Sequence, residues 1–174
     1  EGKEHVMRIV GPGQSFAEAI AFLGKPSPAS GCPHQSTVGM WRERAASRVR
    51  NGELPTTIDG PYAGVQPGRL LDVLDGLIDT LAGRSSDDGE VVIHGSPVLA
   101  NTWLIPDGTM VLTGWHHCGL GDRHHDLAIA AAVLAGRYGP PLIPVMLEEY
   151  GLDLVDPRRL DLHQLLAHLS GAAR

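Results

Sequence analysis

Glu90-Val91-Val92-Ile93-His94-Gly95-Ser96-Pro97-Val98-Leu99-Ala100-Asn101 opens the stretch on which the fold turns, and Asp122-Arg123-His124-His125-Asp126-Leu127-Ala128 closes it. Up to His94 the residues are β-branched and read as a strand. Thr102–Ile105 and Met110–Thr113 read as two more, with Pro106-Asp107-Gly108 as the hairpin turn between them. A glycine-rich loop follows. From Asp122 to Ala135 the period changes to that of a helix whose body is almost wholly apolar, which predicts a buried helix. Burial is expected for Val91–Ile93 and Leu127–Val133, whose runs lack a polar face.

Outward from this centre the chain is helical. Upstream, Ser15-Phe16-Ala17-Glu18 is a capping-box pattern for a helix to about Leu23, stopped by Gly24 and Pro26. Thr37–Asn51 predicts a second helix, with Val38, Trp41, Ala45 and Val49 on one face. Pro67–Ala82 predicts a third, with leucines and Ile78 inward and Asp72, Asp75 and Asp79 as a solvated face. Downstream, Pro141–Tyr150 is a helix closed by Gly151, and Asp156-Pro157 caps a last helix to about Leu169. The expected class is α+β, mainly α, with a small three-strand antiparallel β insertion. Residues 1–14 read as an irregular remnant and 15–174 as one domain. The chain opens at Glu1 without an initiator methionine, as a fragment or a processed product would.

The 174 residues are 43% hydrophobic, enough for one domain with a core. Fourteen Lys and Arg face 20 acidic residues, and the net charge of −6 argues against nucleic acid or an anionic membrane as partner. Cys32 and Cys118 are far apart in sequence and form neither a disulfide framework nor a zinc finger. No apolar run approaches the roughly 20 residues of a membrane span. A cytoplasmic protein is expected.

His94-Gly95-Ser96 with Asn101 resembles the H-G-D-x-x-x-x-N catalytic loop of the kinase-like antibiotic phosphotransferases, and Asp122–Ala128 resembles their D-R-x-x-D-L-A helix start. Gly31-Cys32-Pro33, Tyr150-Gly151 and Asp156-Pro157 resemble flanking signatures of the same family, in its aminoglycoside 3′-phosphotransferase branch, over roughly Ser15 to Leu169. The resemblance implies the C-terminal, helical lobe of a protein-kinase-like fold. The N-terminal nucleotide lobe is expected to be absent or truncated, because Lys3 and Lys25 sit on no strand and Gly11-Pro12-Gly13 is a turn rather than a phosphate loop. It further implies structural roles for Asp122 and Asp126, with His94 packing the catalytic loop against Asp126; a catalytic His94 is the alternative.

Two departures decide the functional expectation. Ser96 stands where the family has its catalytic aspartate, and a hydroxyl does not accept a proton near neutral pH. Gly114 stands where an aspartate holds magnesium on the nucleotide phosphates, leaving Asn101 alone of the metal pair. The family's acidic cluster near the C-terminus corresponds to about Ala167-His168. Expected is a degenerate relative without phosphoryl transfer and without a cofactor, a binding or scaffold module for an unidentified small molecule or protein, possible in a biosynthetic or peptide-modifying pathway. One alternative is an active phosphotransferase using ATP, magnesium and a partner lobe. Another is a new activity served by His116, His117, His124 and His125, whose nitrogens suit a transition metal. Neighbouring histidines on a strand or helix diverge, so one of each pair would ligate. Ser96 as a hydrolase nucleophile lacks the G-x-S-x-G elbow, and Pro97 follows it directly.

Overall fold

The computed structural model describes residues 32, 34–54, 62–82, 90–105 and 110–172. The helix expected at Ser15–Leu23, the irregular residues 1–14 and the Pro106–Gly108 turn lie outside them.

The first described helix, α1 (Val38–Arg50), starts where the Thr37 hydroxyl accepts the Met40 amide at 3.2 Å, and ends at Asn51. Its expected inner face is the observed one: Trp41 and Ala45 are buried, with Val38 and Val49 packed beside them. In α2 (Pro67–Ala82), Leu70, Leu74 and Leu81 point inward. Asp72 and Asp79 are exposed as expected. Asp75 instead accepts a two-pronged hydrogen bond from Arg42 (2.9 and 2.6 Å) that ties α2 to α1.

Among the described residues, four short strands replace the expected three. β1 (Val91–Ile93) pairs antiparallel with β4 (Gly119–Gly121), and β2 (Thr102–Leu104) pairs antiparallel with β3 (Met110–Leu112), so the insertion is two separate two-stranded sheets. Gly-Leu-Gly carries little strand propensity, which hides β4 in the sequence. Its glycines have a packing reason. Segment 34–36 lies directly on them, bridging in parallel at Gln35 and Leu120, and a Cβ on Gly121 would fall 2.5 Å from the Ser36 carbonyl oxygen.

The apolar helix is α3 (His124–Tyr138), beginning two residues later than expected because Asp122 accepts the His124 amide from outside it. Leu127–Ala131 are buried, whereas Ala132 is exposed and Val92 and Val133 are half-buried. α4 (Leu142–Tyr150) ends at Gly151. α5 (Pro157–Ser170) starts on the Asp156 carboxylate, which accepts the Arg158 amide at 2.9 Å with Pro157 in the first turn. One core cluster joins α1, α2, α5 and Ile129; a second joins α3, α4 and Leu160. α3 and α5 contribute to both, and together they form the floor beneath the loops.

Candidate functional site

The segment from His94 to Asn101 hangs from a single carboxylate. Asp126, in the first turn of α3, accepts the backbone amides of His94 (2.6 Å) and Gly95 (2.8 Å) through its two oxygens. Burial pushes its carboxyl up to about 6, against the opposing pull of those two amides. These two hydrogen bonds tie the loop to the first turn of α3. Gly95 has φ +80°, and a Cβ there would overlap the His117 carbonyl, so the loop turns only with glycine at this point.

His94 is held by both ring nitrogens. The Ser96 amide donates to Nδ1 at 3.2 Å, leaving Nε2 to donate to the Thr113 carbonyl at 2.8 Å. Burial lowers its pKa, the Thr113 carbonyl opposing, so the ring stays neutral in that one tautomer. Trp115 lies against it with ring centroids 4.5 Å apart. Such a ring is a strut between the two sides of the loop.

Ser96, Asn101 and Gly114 come together around that strut. The Asn101 side-chain amide donates to the Ser96 carbonyl at 2.9 Å, and the Asn101 carbonyl accepts the Thr113 amide at 2.8 Å. Gly114 sits in the left-handed region (φ +76°), and a Cβ there would lie 2.6 Å from Asn101 Oδ1. Gly114 and the neutral Asn101 carboxamide are therefore in contact.

A second polar centre lies at the start of α3. Asp122 accepts from His124 Nδ1 at 2.6 Å and from Arg159 at 2.8 Å, with His163 Nε2 at 3.5 Å. Burial pushes the Asp122 carboxyl up, but the hydrogen bond from His124 and the close approach of His163 outweigh it and hold the group well below the usual carboxylate range. His124 Nε2 accepts the Asp156 amide at 2.9 Å, so both nitrogens of that ring are occupied. His125 is fully buried and stacks on Trp41 at 4.3 Å. Burial, with a smaller contribution from His163, lowers its pKa to about 3. Trp41, Arg159 and His163 were not identifiable from sequence as parts of this centre. The available signals were a histidine on the apolar side of α5 and a tryptophan on the inner face of α1.

His116 and His117 lie on a 3-10 turn (Trp115–His117), with ring centroids 4.2 Å apart instead of diverging. At the end of α5, Ala167 is buried and His168 half-buried, where the resemblance puts an acidic cluster.

No protein-family model matches the chain. Over 166 residues it is 31% identical to the aminoglycoside 3'-phosphotransferase of Streptomyces fradiae, a match spanning 88% of this chain and 59% of that protein. Its fold superposes on the aminoglycoside phosphotransferase APH(3'')-Id from Streptomyces rimosus with a TM-score of 0.71 at 22% identity, over 91% of this chain and 61% of that one. It also superposes on an aminoglycoside-3'-phosphotransferase of type VIII with a TM-score of 0.70 at 24% identity, over 90% and 59%. This chain thus spans 59 to 61% of the length of these relatives. By sequence the chain is similar to an aminoglycoside phosphotransferase over most of its own length, and it has the fold of the helical lobe of such enzymes.

Proposed function

We propose that this chain keeps the frame of a phosphotransferase catalytic loop and uses it as a binding or scaffold module, without transferring phosphate itself. What supports the reading is that Ser96 and Gly114 stand where the resemblance implies two carboxylates, and that Gly114 packs against Asn101 in a left-handed conformation. Loss of a positioned general base costs about 10² to 10⁴ in rate. Magnesium on nucleotide phosphates calls for hard, charged oxygen ligands, and a lone carboxamide already tied to the Ser96 carbonyl does not fit that demand. The second reading, an active phosphotransferase completed by another lobe, draws on the intact Asp126 clamp.

Calorimetry with magnesium ATP, followed by an assay of phosphate transfer to an aminoglycoside, separates the two. The scaffold reading expects no micromolar nucleotide binding and no transfer. Transfer by the unmodified chain makes the second reading correct. The double variant Ser96→Asp with Gly114→Asp is expected to regain little, because catalytic groups act as a unit and the new side chain at 114 displaces Asn101. Its left-handed backbone alone costs about 1 to 2 kcal/mol for a non-glycine residue.

A further inference from the structure

Among the described residues eight large apolar side chains stand exposed, and five of them, Met40, Trp103, Ile105, Val111 and Trp115, are joined. The other three are scattered, Val73 on α2, Tyr138 at the end of α3 and Leu152 just after α4. Trp103 and Val111 are cross-strand partners in the β2–β3 hairpin, so both stand on one face, and Ile105 follows Trp103 by two residues onto the same side. Trp115 lies against β3, its ring N–H donating to the Leu112 carbonyl at 2.9 Å. Met40 meets Trp115 in an open cavity of about 260 Å³ that His34 and Cys118 also line. Single exposed apolar residues need no explanation, but a joined group of this kind marks an interaction surface.

The same stretch is free of formal charge. Residues 91–105 and 110–121 contain no Asp, Glu, Lys or Arg, in a chain that is 20% charged and carries a net charge of −6. Depletion of charge together with exposed tryptophan is the composition of an interface core. The strand edges are less open than the face. On β2 the Thr102 amide donates to the Leu99 carbonyl, and on β3 the Leu112 carbonyl is taken by Trp115, so the hairpin offers its side chains rather than a place for an added strand. Two strands of three residues are also marginal by themselves, and a cover over their apolar face supplies what they lack.

We propose that this face is the contact between two copies of the chain, packed hairpin to hairpin about a two-fold axis. An uncharged face is complementary to itself. Two molecules of net charge −6 meet there without setting like charges opposite each other, as the aspartate-bearing face of α2 would. Two-fold contacts between identical surfaces are the commonest in soluble oligomers. Area then sets the strength. Trp103 and Trp115 are 61% and 43% exposed, and an aromatic side chain buries about 150 to 250 Å² when fully covered. With Met40, Ile105 and Val111 the face offers on the order of half the roughly 800 Å² per partner of a standard interface, which makes a weak dimer that forms at high micromolar concentration and not at low. Dimer formation is independent of whether the loop transfers phosphate, since it uses neither Ser96 nor Gly114.

Sedimentation velocity of the full chain, from low to high micromolar concentration, is expected to show the mass rising from one copy towards two. Trp103→Ser weakens the association by at least about tenfold, as loss of an interface tryptophan does. Val111→Lys abolishes it by bringing two cations together across the axis. Val73→Ser, at an exposed position of α2 outside the face, leaves it unchanged. Amide chemical shifts that move with concentration are expected to map to Thr102–Ile105 and Val111–His116. Circular dichroism verifies that each variant folds, and where Trp103→Ser does not, the shift map and Val111→Lys decide. A chain that stays monomeric throughout overturns the proposal, whether the face is then covered from elsewhere in the same chain or by a different protein. So does a dimer that survives in the folded Trp103→Ser variant, or one whose shifts map to another surface.

Discussion

Asp126 and His125 are neighbours in sequence, both buried, and they push the stability of the fold in opposite directions with pH. The Asp126 carboxyl is raised to about 6 in the fold from an ordinary value near 4. The native state therefore holds its proton more tightly, and this contribution is present at low pH and lost as pH rises through 6. His125 is lowered to about 3 from an ordinary value near 6.5. Its contribution is present above 6.5 and lost as pH falls toward 3. Between pH 6 and 4 the two slopes, each on the order of 1.4 kcal/mol per pH unit, nearly cancel. Relative to the parent, Asp126→Asn is thus expected to lose stability as pH falls from 6 to 4, and His125→Phe to gain it. Urea midpoints measured across that range check both signs; parallel curves for parent and variants would refute them. Asp122, held low, adds a loss confined to more acid pH as the solution falls below the ordinary carboxylate value. At this scale the sequence showed that 122 and 126 matter and not why, since the amides that Asp126 accepts lie 31 and 32 residues away.

Among the elements, the helices were legible and the strands only partly so. α1, α2 and α5 each carry a local boundary: Thr37 and Asn51, Pro67, and Asp156-Pro157 with Gly171. Periodicity also assigns their buried faces, because a 3.6-residue repeat is a local property. β4 was missed because its stability comes from β1 and segment 34–36, not from Gly-Leu-Gly itself. The contrast between helix and hairpin is measurable. Leu165 of α5 is fully buried, and Leu165→Ala is expected to cost about 2 to 5 kcal/mol. Trp103 of β2 is 61% exposed opposite an exposed Val111, and Trp103→Ala is expected to stay within about 1 kcal/mol. Chemical denaturation of the two variants gives both figures. Equal losses would show that the hairpin packs against more than the described residues.

Across the whole molecule, α3 and α5 bind the two core clusters together: Ile129 and Leu162 belong to one, Leu127 and Leu160 to the other, and Val133 touches both. Neither cluster can open without exposing part of the other. Urea unfolding is therefore expected as one transition, with Trp fluorescence and far-ultraviolet circular dichroism coincident. Buried Trp41 against exposed Trp103 and Trp115 makes the fluorescence sensitive to the core. Separate midpoints would show that α4 and its cluster unfold alone. The sequence by itself determined the mainly helical class, the helix boundaries near their caps, and the motifs that carry the resemblance, with Ser96 and Gly114 as the residues that depart from it. These are local patterns or identities, and both survive without knowledge of the fold. Only the tertiary structure decided that Asp126 carries the loop, that Gly114 abuts Asn101, that Asp122 gathers partners from α5, and that His34 shares a cavity with Cys118. Each of these joins residues that the chain itself leaves 13 to 84 positions apart, and only burial of the common core brings such pairs within hydrogen-bond or contact distance.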